Sequence, residues 1–187
     1  MVPKIFTPTW LDSKSVKCRL FFYEKELKNT SQYTKNQLLK LLSTTKEAAG
    51  PLVRYDYFEN IPHITTSISH GQRAGAVICV NKELAPGIGI DIEEESRVIT
   101  PRASKFFINS SDEKCDDKDL IYLWAKKEAA FKATSPLNQE VKLLKDIWIR
   151  NNQFGKVGFE HPFGKVGFTL YQGQIIATAY LFKTTHL

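Results

Sequence analysis

The segment Gly87-Ile88-Gly89-Ile90-Asp91-Ile92-Glu93 narrows the possible folds more than any other stretch of the chain. Its strict alternation predicts a β-strand, because successive side chains of a strand point to opposite faces. The three isoleucines then enter a core, while Gly89, Asp91 and Glu93 share the other face. The two carboxylates would stand about 6.6 Å apart along the strand, beside a glycine that is expected to leave room for something bulky. Two carboxylates brought within about 4 Å of a shared point repel by about 4 kcal/mol at an effective dielectric of 20. A hard dication removes that cost, and oxygen ligands suit Mg²⁺. A solvated strand end with ordinary surface acids is the plainer reading of the same residues.

Around this segment the order is strands, then helices, then strands, with no βαβ rhythm, which predicts an α+β fold with largely antiparallel sheet. Val16 to Tyr23 alternates like a half-buried strand, and Tyr33 to Leu42 has the spacing of an amphipathic helix. Leu52 to Phe58 reads as a further strand. The apolar runs Ala74 to Val80 and Ile88 to Ile92 are joined by the turn formers of 81–87, which predicts an antiparallel hairpin. Thr100-Pro101 reads as the N-cap and first position of a short helix through Phe107. A longer helix is expected from about Lys118 to Ala133, stopped by Ser135-Pro136. From Ile147 onward the chain reads as β, with turns at 151–153 and 172–174. The hexapeptide Phe-Gly-Lys-Val-Gly-Phe occurs at 154–159 and again at 163–168, which predicts two strands of one hairpin.

Lys and Arg outnumber Asp and Glu by 26 to 20, a formal charge of +6 that favours an acidic partner. The basic residues are scattered, with no block of the kind that binds nucleic acid. No apolar run approaches the ~20 residues of a membrane span. Met1 to Phe6 is too short and interrupted for a signal peptide, so a cytoplasmic setting is expected. Cys18 and Cys79 fall in strand-like apolar runs, where a thiol acts as a small hydrophobe.

Two further stretches carry polar groups in an ordered pattern. In Trp124-Ala125-Lys126-Lys127-Glu128-Ala129-Ala130-Phe131-Lys132, a helical wheel puts Leu120, Trp124 and Phe131 on an apolar stripe with Glu128 at its edge. A glutamate at the border of a core suits a metal ligand or base, and an exposed Glu–Lys pair is the plainer alternative. In Ser67-Ile68-Ser69-His70-Gly71, a hydroxyl and an imidazole before a strand could hold a phosphate. A serine-hydrolase reading is weaker, since Gly-x-Ser-x-Gly is absent.

Together, Ser-Ile-Ser-His, Gly-Ile-Asp-Ile-Glu about twenty residues on, and Trp-x-x-Lys-Glu-Ala-x-x-Lys resemble the 4′-phosphopantetheinyl transferases of the surfactin-type branch. The resemblance covers roughly residues 60–182. It implies two similar α+β halves packed as a pseudo-dimer, here 1–85 and 86–187, the second carrying the acidic motifs. It also implies transfer of phosphopantetheine from coenzyme A to a serine of an acyl or peptidyl carrier protein, releasing 3′,5′-ADP. On that resemblance, Asp91, Glu93 and Glu128 would hold Mg²⁺, with Glu128 also a candidate base. Ser69, His70 and Lys127 would contact coenzyme A phosphates, and Lys132 would neutralise charge on the diphosphate. The lysine that the family shows before its Ser-His motif is missing from Tyr57 to Pro62. Lys28, Lys35 and Arg54 are the candidate substitutes for gripping the coenzyme. An acidic carrier protein would be steered to the basic enzyme, which is expected to act as a monomer with no nucleic-acid or membrane partner. The alternative is a coenzyme A- or carrier-binding module of the same fold with impaired catalysis.

Overall fold

The computed structural model describes residues 4–6, 16–23, 29–53, 56–135 and 141–183. Among the described residues every strand pairing is antiparallel and the helices are few, so the fold is α+β. The first sheet has the order β1-β2-β6-β5, from Lys4–Phe6, Lys17–Phe22, Ala74–Asn81 and Ile64–His70 respectively. The second has the order β7-β11-β10-β9-β8, from Ile88–Glu94, Gln174–Leu181, Gly164–Tyr171, Gln153–Lys156 and Ile147–Arg150. A two-stranded ribbon pairs β3, Leu52–Val53, with β4, Tyr57–Phe58, where the sequence predicts one continuous strand. Helix α1 is Thr30–Leu41, α2 is Lys46–Ala49, α3 is Pro101–Ser104 and α4 is Leu120–Thr134. Among the described residues no helix is long and apolar enough to cross a membrane.

The core lies in three layers of contact. Leu38 and Leu41 of α1 pack on Phe21, Val77 and Cys79 of the first sheet. The other face of that sheet, with Cys18, Leu20, Ala76 and Ile78, meets Ile88, Ile90 and Ile92 of β7. The far face of the second sheet, with Ile149, Val166, Ile175 and Ala177, is covered by Leu123, Ala129 and Ala130 of α4. Burial makes thiol ionisation costly at both core cysteines, and Cys79 is pushed up to about 11.

Several expectations hold locally. Thr100 caps α3 through a hydrogen bond accepted from the Ala103 N–H at 3.2 Å. Asn151, Asn152 and Gln172 take positive φ in the two late turns. The two hexapeptide copies lie on neighbouring antiparallel strands, with Phe154 opposite Gly164. The expected hairpin between the two apolar runs does not form. β6 pairs with β2 and β5, while β7 pairs with β11, so the turn formers of 81–87 carry the chain from one sheet to the other.

Gly89 also departs from its expected role. A Cβ there would collide with the Ala129 carbonyl oxygen and lie 2.8 Å from the Ala133 nitrogen. The space beside Asp91 is therefore filled by the backbone of α4, and the small residues Ala125, Ala129 and Ala133 form its contact stripe rather than the large ones of the wheel. Because both obstructing groups are main chain, Gly89→Ala should displace α4. It is expected to cost roughly 3 kcal/mol or more, measured by urea denaturation; unchanged stability would contradict this packing.

Candidate functional site

Three elements converge where the edge of β7 lies on the serine face of β5. An edge strand leaves N–H groups unpaired, and here serine hydroxyls take them. Ser67 Oγ accepts from the Ile90 N–H at 3.1 Å, and Ser69 Oγ accepts from the Ile92 N–H at 3.3 Å. Ser69 in turn donates to Asp91 Oδ1 at 2.9 Å. From the other side, Lys132 of α4 donates to the same Asp91 Oδ1 at 2.7 Å and to the Ile90 carbonyl at 3.0 Å. Asp91 is buried, and its Oδ2 has no hydrogen-bond partner.

Trp124, Glu128 and Lys132 follow at intervals of four, so they share one helix face. Trp124 Nε1 donates to Glu93 Oε1 at 2.8 Å, and the Arg97 guanidinium reaches the same oxygen at 2.6 Å. Glu128 therefore lies between the Trp124–Glu93 contact and the Lys132–Asp91 contact. Burial raises the Glu128 pKa above the usual carboxylate range, and the Asp91 carboxylate raises it further. Lys132 pulls it back, Glu93 adds a push, and Arg97 pulls back as well. Each carboxylate thus meets its charge differently: Asp91 through Lys132, Glu93 through Arg97, and Glu128 through a tighter hold on its proton.

Ser69, His70, Asp91 and Lys132 line one cleft of about 440 Å³, with His70 exposed at the end of β5. The Ser-His pair ends a strand instead of preceding one. Glu93 and Glu128 do not line this cleft. Ser31, Asp56 and Ser135 also line it, with Ser135 Oγ donating to Asp56 Oδ2 at 3.3 Å. Sequence reading missed these three, since they are spread over the chain and belong to no motif. Lys35 sits one turn along α1 from Ser31, whereas Lys28 and Arg54 lie outside the described residues.

Lys127 does not join this group. Its ammonium is 0% exposed and bonds Asp112 Oδ2 at 2.7 Å, the Phe107 carbonyl at 2.5 Å and the Ile147 carbonyl at 2.7 Å. Asp112 also accepts from the Asn109 and Ile149 N–H groups. Lys127 is therefore a clasp between α4, β8 and the segment before α4, and its contact with a phosphate is corrected. The reason is helical: adjacent residues point about 100° apart, so Lys127 cannot share the face of Glu128 and Lys132.

Among the described residues no three His, Cys, Asp or Glu side chains are grouped closely enough to hold a metal ion as they stand. The donor chemistry nonetheless fits a hard dication. A buried carboxylate oxygen without a partner costs free energy, and Asp91 Oδ2 is one; Asp91 and Glu93 both lie within electrostatic reach of the Glu128 carboxylate. A comparison with models of known protein families finds no match to this chain, and neither does a comparison with curated proteins.

Because the folded-state pKa of Glu128 lies above its unfolded value, the folded protein holds that proton more tightly. Stability is then highest below the ordinary carboxylate range and falls as pH rises through the folded value. Glu128→Gln removes the ionised form. The variant should unfold at a higher temperature than the parent at pH 7 and at the same temperature near pH 4, by calorimetry. A lower unfolding temperature at pH 7 would contradict the electrostatic reading.

Proposed function

We propose that the protein is a phosphopantetheinyl transferase, moving phosphopantetheine from coenzyme A to a serine of an acyl or peptidyl carrier protein. The observation that carries the reading is the Asp91 carboxylate in the cleft wall, fixed by Ser69 and Lys132 within electrostatic reach of Glu128, with its buried Oδ2 unpartnered. Two antiparallel sheets, one covered by α1 and the other by α4, support the pseudo-dimeric arrangement that the resemblance implies. A cleft built within one chain supports action as a monomer, and a cytoplasmic setting belongs to the same proposal.

Asp91, Glu93 and Glu128 would hold Mg²⁺, which when bound neutralises the diphosphate and polarises its oxygens. Lys132 offers its ammonium to the same phosphates from the cleft wall. His70, exposed at the mouth, offers ring nitrogens to a phosphate. Ser69 orients Asp91, because its hydroxyl hydrogen is committed to that carboxylate. A serine hydroxyl attacks only when a base takes its proton. The raised proton affinity of Glu128 brings its carboxylate nearer the range where such a transfer is efficient. The charge of +6 favours encounter with an acidic carrier.

Incubation with coenzyme A, Mg²⁺ and a panel of apo-carrier proteins, read by intact mass spectrometry, tests this. At least one carrier should gain the phosphopantetheine mass. Asp91→Asn should slow the transfer on the order of 10²-fold or more. A panel with no mass gain would favour the binding module over the enzyme.

A further inference from the structure

We propose that Lys132 is the resident cation of the Asp91 carboxylate, and that a divalent ion reaches Asp91 only together with an anionic diphosphate that draws the lysine ammonium away. The inference deepens the transferase reading and rests on it only for the identity of the diphosphate.

The Lys132 ammonium is held by one carboxylate oxygen and one backbone carbonyl, at 2.7 and 3.0 Å. These are the oxygen types that bind hard cations. Two contrasts make Lys132 displaceable. Its side chain is 28% exposed on the cleft wall, whereas Lys127 is fully buried among three acceptors. Its partner Asp91 is independently fixed by Ser69, so the carboxylate keeps its position when the ammonium leaves. A lysine stem has four rotatable carbons and carries its charge as a point, which suits transfer from one anion to another.

Charge balance sets the order of events. Asp91, Glu93 and Glu128 face Lys132 and Arg97, three acids against two bases. A dication added alone would share Asp91 with the ammonium, and like charges at that separation in a partly buried site repel strongly. A diphosphate supplies the missing negative charge and a new partner for the ammonium. The ion and the diphosphate therefore bind cooperatively, and the protein on its own binds the ion weakly.

Calorimetric titration with Mn²⁺ tests this without any carrier protein. Lys132→Met should bind Mn²⁺ at least tenfold more tightly than the parent, and adding Asp91→Asn should cancel the gain. In the parent, ADP but not AMP should raise Mn²⁺ affinity at least tenfold beyond ADP's own hold on the ion in buffer. No gain in Lys132→Met, or no effect of ADP, would overturn the proposal. Lys132→Gln serves as the second variant. Loss of the fold in both would also overturn it, because Lys132 would then be structural and not displaceable. A gain in Lys132→Met with no transfer to any carrier would sustain this inference and remove the transferase reading. Transfer without the gain would do the reverse.

Discussion

Asp91 Oδ1 takes a hydroxyl hydrogen from the first sheet, through Ser69, and an ammonium hydrogen from the helix covering the second, through Lys132. A carboxylate this buried costs several kcal/mol unless donors surround it, and its donors come from elements that are distant in sequence. The joint between the sheets and the candidate site are consequently one set of groups. Ser67 and Ser69 add to the joint by capping the outward N–H groups of β7, which would otherwise leave an open edge. Folding the two sheets together is what orients the carboxylate.

The helix reaches this joint because β7 has no side chain at Gly89. Close approach of α4 to the strand sets the depth at which Trp124, Glu128 and Lys132 meet Glu93 and Asp91. Three acids are thereby brought together in a partly buried region: an ammonium meets Asp91, a guanidinium meets Glu93, and burial beside Asp91 raises the proton affinity of Glu128. Such an arrangement is costly as pure scaffold and economical as a receptor for a cation and a phosphate chain. That contrast supports the transferase reading over a surface of ordinary acids.

Much of this was legible in the sequence where the signal is local. The alternation of 87–93 marks both faces of β7, and the isoleucine face enters the core as expected. Caps and turns at Thr100, Asn151 and Gln172 also follow from residue type. Pairing was less legible, because β7 finds its partner in β11, more than eighty residues on, and nothing in 81–87 separates a hairpin turn from a crossing between sheets. At the site, Asp91, Ser69 and Lys132 were marked by their motifs and do meet. Lys127 was misassigned because a motif is read as a line, while a helix distributes it around a circle. Asp56 and Ser135 meet through a contact between residues 79 apart that leaves no periodic trace, and Arg97 reaches Glu93 from just beyond the end of β7, outside any motif.

In the proposed function, the acids of β7 and α4 form one receptor for a dication and a diphosphate. Crystals grown with coenzyme A and Mn²⁺, measured at the manganese absorption edge, test it most directly. An anomalous peak is expected bonded to Asp91 and Glu128, with the coenzyme diphosphate against it and the Lys132 ammonium moved onto phosphate oxygen. Coenzyme A bound in the cleft with no manganese at Asp91, or manganese held by residues elsewhere, would contradict it.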